Sequence, residues 1–145
     1  MNMPSKTRTI RQKVIISASP EDVYDAFMDP KKHAAFTGGE AIGSSEVGGE
    51  FSAWDGYITA KNLDLKNGQK IVQEWSTTEW PDGYPPSRLE ITLKGVPEGT
   101  ELTLVQSKVP ADQADDYDEG WHEHYWNHLR EYFQKKGKKK AAMKD

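Results

Sequence analysis

The sequence contains no cysteine, which excludes disulfides, thiolate metal sites and cysteine nucleophiles. No stretch approaches the roughly 20 apolar residues that a membrane-spanning helix needs. The first residues also lack the apolar run of a secretory signal. We therefore expect no membrane span, and a cytoplasmic location is the default interpretation.

Hydrophobic residues are scarce, at 35% of the chain, but five Trp, six Tyr and four Phe partly offset the deficit. Each aromatic ring buries more area than an aliphatic side chain, so we expect a thin core rich in rings. A length of 145 residues suits one domain. The sequence predicts a single domain over residues 7–136, with flexible termini at residues 1–6 and 137–145.

Positive charge is concentrated at one end of the chain. The net charge is −4, although six lysines lie between residues 135 and 145, so the rest of the chain is more acidic than the total indicates. Nucleic acid is not an expected partner, because binding phosphate needs a basic surface. The lysines themselves suit the C-terminal end of a helix, where the macrodipole favours cations.

The first third of the chain predicts a strand followed by two short helices. Residues 7–17 alternate and are β-branched, as in a strand. Ser19 and Pro20 provide an N-cap and a proline at the first helical position, which predicts a helix through Met28. Asp29 and Pro30 end that helix and begin a second one over residues 31–36.

Residues 38–107 predict six further strands, separated by turn signals such as Asp55-Gly56 and Lys66-Asn67-Gly68. Short connections between consecutive strands imply an antiparallel meander with one wet face. The predicted strands are residues 41–45, 50–54, 56–64, 69–76, 87–94 and 100–107.

A long helix opening at Ala111 follows the strands. At 100° per residue one half of it is strongly aromatic, and this half comprises Tyr117, Trp121, His122, Tyr125, Trp126, His128, Leu129, Tyr132 and Phe133. This stripe is the only element able to cover the dry face of the meander. The prediction is an α+β fold of order β-α-α-β6-α, in which a curved antiparallel sheet of about seven strands wraps around the C-terminal helix. Such a pairing commonly leaves a cavity between sheet and helix.

Seven short segments, taken together in their order and spacing, are informative: Ser19–Tyr24 with Phe27, Ala35–Thr37, Gly48–Phe51, Asp55-Gly56, Ile71–Trp75, Trp80–Gly83 and Gly120-Trp121 with Tyr125. They resemble the family of activators of the 90-kDa heat-shock protein ATPase, in the form of its C-terminal domain. The resemblance spans residues 10–134 and implies the helix-grip fold, which that family shares with steroidogenic-acute-regulatory-type (START-like) lipid transfer domains, birch-pollen-type allergens and polyketide cyclases. The eukaryotic co-chaperone has a further N-terminal domain without a counterpart in these 145 residues.

Three functions remain open at this point. The first is binding of a small hydrophobic ligand between sheet and helix. The second is a stand-alone co-chaperone-like module that contacts a 90-kDa heat-shock chaperone or another protein. The third is a cyclase- or hydrolase-like enzyme, for which Asp55, Glu74, Glu90 and His128 are the available titratable groups, although Glu74 and Glu90 are more simply solvent-facing.

Metal, cofactor and nucleophile signals are weak. His124 and His128 stand at i and i+4, a spacing that could hold a metal from one helix face. The zinc-protease pattern, however, would need His122-Glu123 to be followed by a second histidine at position 126, which is Trp126. There is no Gly-x-Ser-x-Gly motif and no phosphate loop. We therefore predict no metal, no cofactor and no catalytic residue, and a binding site lined by Phe36, Phe51, Trp54, Tyr57, Trp75, Trp121, Tyr125 and His128.

Overall fold

The computed structural model describes residues 6–143, with side chains described through Lys135. Residues 1–5, 144 and 145 lie outside the described residues, so most of the predicted flexible N-terminus is not addressed. Parts of both termini that were predicted to be flexible are described. The backbone carbonyl of Lys6 accepts a hydrogen bond from the amide of Ala111 at 2.9 Å, and the helical backbone continues to Met143.

Seven antiparallel strands form one open sheet, as predicted. They are β1 (Thr7–Ile16), β2 (Ile42–Gly43), β3 (Glu50–Ala53), β4 (Ile58–Lys66), β5 (Lys70–Thr77), β6 (Ser87–Val96) and β7 (Gly99–Pro110). Their spatial order is β1-β7-β6-β5-β4-β3-β2, so the meander runs from β2 to β7 and β1 pairs with its far end. The predicted strand 41–45 is shorter than expected, since only two of its residues pair with β3.

Two short helices follow β1, and local capping explains where each begins. In α1 (Pro20–Met28), the Ser19 hydroxyl accepts the amide of Asp22 at 3.1 Å. In α2 (Pro30–Thr37), the Asp29 carboxylate accepts the amide of Lys31 at 2.9 Å. Gly38 ends α2 in the left-handed conformation at φ 87°. Both predicted helices are confirmed, with the second one residue longer at each end.

The C-terminal helix is continuous but not uniform. It comprises α3 (Ala111–Gly120), a π-helical segment (Trp121–Trp126) and α4 (Asn127–Met143). The amide of Asn127 donates to the carbonyl of His122, five residues back, which is the hydrogen bond of a π-helix. The wider turn lets Trp121 and Trp126 stack with ring centroids 5.5 Å apart, although five residues of an α-helix would separate them by about 140°.

The π-helical segment corrects the face predicted for the helix. At 100° per residue His122 falls in the aromatic stripe, whereas its side chain is exposed in the structure. The wheel was wrong there because it assumed α-helical spacing through residues that take a wider turn. Trp121, Tyr125, Trp126 and Leu129 are buried as predicted.

The core lies between the inner face of the sheet and the helices. Alternation along β6 and β7 buries Leu89, Ile91, Leu93, Leu102 and Leu104, so each of these two strands has one face in the core. Bulges between Arg8 and Ile10 and between Asn62 and Asp64 bend β1 and β4.

Candidate ligand-binding groove

A groove of about 630 Å³ lies between the sheet and the C-terminal helix. The strand side is formed by the β3–β4 turn, β4 and β5, and the helix side by α3 and the π-helical segment. Six aromatic side chains line it, namely Trp54, Tyr57, Trp75, Tyr117, Trp121 and Tyr125. Four carboxylates line it as well, and these are Glu79, Asp116, Glu119 and Glu123.

Buried hydrogen bonds hold the inner wall of the groove in place. The Trp121 indole N–H donates to the side-chain carbonyl of Gln106 at 2.9 Å. The Gln106 amide in turn donates to the Ser87 hydroxyl at 3.0 Å, and that hydroxyl donates to the Trp75 carbonyl at 2.7 Å. This chain links both tryptophans of the wall through β6 and β7. It positions the Trp121 indole and the Trp75 backbone, and the two rings lie with their centroids 5.7 Å apart.

Trp54 enters the groove from a strained turn. Trp54 and Asp55 have φ of 54° and 58°, a left-handed conformation that is unusual for a bulky residue. The Asp55 carboxylate accepts the amide of Glu40 at 2.9 Å, and the amide of Asp55 donates back to the Glu40 carbonyl at 3.1 Å. Strain of this kind persists only when surrounding contacts enforce it, and it tends to occur at functional sites.

One end of the groove carries a network of hydroxyl groups. The Tyr57 hydroxyl donates to the Glu79 carboxylate. The Tyr117 hydroxyl contacts Thr77 Oγ1 and Gln113 Oε1, each at 2.7 Å. Burial, reinforced by Glu79, raises the pKa of Tyr57, and burial also raises the pKa of Tyr117. Both phenols therefore keep their protons at neutral pH, so they can orient a ligand by hydrogen bonding but do not serve as bases.

Below the groove, His33 lies at the centre of a buried aromatic cluster. Its ring is 5.2–5.3 Å from the rings of Phe27, Phe36, Phe51 and Tyr125. Nδ1 lies 2.8 Å from the Phe27 carbonyl, and Nε2 lies 2.9 Å from the Tyr125 hydroxyl. Because a carbonyl only accepts, Nδ1 carries the proton and Nε2 accepts from Tyr125. Burial lowers the pKa of His33 to about 4, against the opposing effect of the Phe27 carbonyl.

The structure separates the predicted site residues into two groups. Trp54, Tyr57, Trp75, Trp121 and Tyr125 line the groove. The other three lie elsewhere: Phe36 and Phe51 belong to the His33 cluster, and His128 is half-buried on α4 with its ring 6.4 Å from that of Trp54.

Sequence reasoning missed His33, Tyr117 and Glu79 as residues of this region. His33 shares one face of α2 with Phe36 and Thr37, at i, i+3 and i+4, and this spacing was an available sign of burial. Glu79 had no such sign, because it follows a strand in an irregular stretch. Tyr117 was recognised only as part of the helix stripe.

Within residues 6–135, no three His, Asp or Glu side chains are placed to hold one metal ion. In the described part of the chain, no helix is both long and apolar enough to cross a membrane.

Two relatives cover most of this chain. A protein of Dictyostelium discoideum named activator of 90 kDa heat shock protein ATPase homolog is 32% identical over 130 residues, which is 88% of this chain and 33% of the relative. The human activator of 90 kDa heat shock protein ATPase homolog 1 is 29% identical over 129 residues, 88% of this chain and 37% of the relative. The chain thus spans about a third of the length of these relatives.

Solved structures agree with the fold. An HSP90 activator from Plasmodium falciparum matches with a TM-score of 0.77 at 21% identity, covering 88% of this chain and 96% of that one. A protein from Chromobacterium violaceum matches with a TM-score of 0.66 at 28% identity, covering 90% and 97%. The family model described as activator of Hsp90 ATPase homolog 1-like protein matches residues 17–134. With most of its length matched, the chain belongs to the activator of Hsp90 ATPase homolog 1-like family.

Proposed function

We propose that this protein binds a small apolar organic molecule in the groove between sheet and C-terminal helix. The observation that carries the proposal is a volume of about 630 Å³ lined by six aromatic side chains. Binding sites for small molecules typically measure about 300–1,000 Å³ and combine an apolar lining with a few polar groups. The hydroxyls of Tyr57 and Tyr117 are the polar groups that would orient the ligand.

The hydrogen-bonded wall supports the same proposal. Water in a groove of aromatic rings gains few hydrogen bonds, so an apolar ligand that displaces it is favoured. Because the Gln106 amide already holds Trp121 and, through Ser87, the backbone of Trp75, little ordering remains to be done on binding. Preorganisation of this kind increases affinity.

Replacement of Gly120 by leucine is expected to block the groove. Gly120 lines it from the helix, and a Cβ built there meets only the His124 ring, at 3.8 Å, within 4 Å. The added side chain therefore occupies ligand space without colliding with the backbone, and it favours the helix more than glycine does. Titration with the neutral fluorescent probe N-phenyl-1-naphthylamine should give saturable binding to the wild type and at least about tenfold weaker binding to Gly120→Leu.

Gly120→Ala is the matched control. It brings a gain in helix propensity at least as large as that of leucine and adds a single methyl group in ordinary contact, so its affinity for the probe should stay close to that of the wild type. Equal binding by all three proteins would place the probe outside the groove, and absence of saturable binding to the wild type would contradict the proposal directly.

A second candidate function is regulation of a 90-kDa heat-shock chaperone. It is favoured by the relatives named as activators of that ATPase, which match this chain over 88% of its length. The chain spans only about a third of the length of those proteins. We therefore propose this activity for the domain itself and do not assign to it the activity of the full-length relatives. The acidic and aromatic rim of the groove is the surface that a protein partner would meet.

Addition of the chain to a 90-kDa heat-shock chaperone is expected to raise its rate of ATP hydrolysis. The measurement is phosphate release at increasing ratios of chain to chaperone, with Gly120→Leu in parallel. Stimulation that survives in Gly120→Leu would assign the contact to a surface outside the groove. A rate that does not change at large molar excess would remove this candidate and leave ligand binding untouched.

A further inference from the structure

We propose that the ligand of the groove is an organic ammonium compound, that is, an apolar body carrying one positive charge. The inference rests on the proposed ligand-binding function and specifies the chemical class of the ligand. It follows from the juxtaposition of six aromatic rings with the carboxylates of Glu79, Asp116, Glu119 and Glu123 around one cavity.

The four carboxylates lack cationic partners within the described residues. All four side chains belong to exposed residues, and every ion pair formed among residues 6–135 uses other acids. Of the described residues that line the groove, His124 alone offers a basic nitrogen. Four acidic groups against one imidazole give the mouth of the groove a negative potential.

Helix stability does not explain why acids stand at these positions. Acidic residues favour the first turn of a helix, and that effect fades beyond it. The helix begins at Ala111, so Glu119 and Glu123 lie two or more turns inside it. They recur on the groove side of the helix with Asp116, which places three like charges within a stretch of eight residues. Like charges at such spacing disfavour the helix, so a ligand that neutralises them would relieve the repulsion.

The aromatic lining suits the same class of ligand. The faces of Trp and Tyr rings attract cations, and carboxylates nearby strengthen the preference. The phenols of Tyr57 and Tyr117 keep their protons at neutral pH, so they supply ring faces and neutral hydroxyls. A neutral or anionic ligand of the same shape would gain the apolar contact alone, or gain it against repulsion.

Three probes with one ring system test the charge. These are 2-naphthylmethylammonium, 2-naphthylmethanol and 2-naphthoate, titrated calorimetrically into the full chain at low and physiological salt. The ammonium should bind about tenfold more tightly than the alcohol, with the carboxylate weakest. Added salt should reduce the preference, since exposed charges are screened.

A triple variant, Asp116→Asn, Glu119→Gln and Glu123→Gln, should bind the three probes with nearly equal affinity. Its control is Glu46→Gln, Glu98→Gln and Glu131→Gln, which makes the same change in net charge at exposed positions outside the groove lining. The control should keep the order of the wild type. Loss of the order in both variants would indicate a long-range effect of net charge and overturn the proposal.

The other possible outcomes distinguish the preference for a positively charged ligand from ligand binding itself. Equal affinity of the wild type for all three probes, weakened by Gly120→Leu, would refute the charge preference while preserving the groove as a binding site. No binding of any probe would overturn both. Binding of a lysine-rich peptide without binding of the ammonium probe would mean that the acidic rim recognises a basic protein segment, and the small-molecule proposal would be wrong.

Discussion

Substitution of Trp126 by alanine is expected to lower the free energy of unfolding by about 4 kcal/mol. Trp126 is the largest side chain with no exposed surface, and its ring stacks on that of Trp121 at an interplanar angle of 15°. Its indole N–H donates to the Gln12 side chain on β1 at 2.7 Å. Alanine leaves a cavity at the junction of helix and sheet and an unpaired acceptor on Gln12.

Two variants calibrate this result. Trp126→Phe keeps most of the apolar area and loses the hydrogen bond, so it should cost about 1–2 kcal/mol. Trp80→Ala removes the same side chain from a half-buried position, where its N–H bonds to the Pro85 carbonyl in the same loop at 2.9 Å, and it should cost less than Trp126→Ala. Urea unfolding followed by circular dichroism measures all three. A cost below 1 kcal/mol for Trp126→Ala would mean that the helix does not depend on this anchor.

The elements of this fold were predictable because local signals define each of them. Ser19-Pro20 and Asp29-Pro30 begin α1 and α2 through side-chain caps made within three residues. The alternation of apolar and polar residues along β6 indicates which face of that strand is buried. The way the sheet packs around the helix was supported by the resemblance to the family, because the residue pattern of a single strand does not indicate how elements pack together.

The interior of the site was not predictable in the same way. The partner of His33 is Tyr125, 92 positions along the chain, and no periodicity relates two such residues. A helical wheel also could not predict the π-helical segment, because the wheel assumes α-helical spacing. The wider turn depends instead on how Trp121 and Trp126 pack against the sheet. Even so, five of the eight predicted site residues line one groove, since large aromatics on facing elements tend to meet where sheet and helix diverge.

Stability against acid should depend on His33. Its pKa falls from the ordinary value of 6.5 to about 4, chiefly through burial. Between these values the unfolded chain holds a proton on this ring and the folded chain does not, so the free energy of unfolding falls as the pH is lowered from 6.5 to 4. A difference of this size corresponds to about 3 kcal/mol, lost at up to about 1.4 kcal/mol per pH unit and levelling off below pH 4.

Urea titrations at a series of pH values in this window, on the wild type and on His33→Gln, measure that contribution. The variant should be less stable at pH 7, since a buried ring and its two hydrogen bonds are replaced, yet its free energy of unfolding should vary less with pH by about 3 kcal/mol over the window. Tyr125→Phe is the control, because it removes the partner of Nε2 and leaves His33 buried, so the steep dependence should persist. Parallel pH profiles for the wild type and His33→Gln would mean that the folded protein admits a proton to this ring.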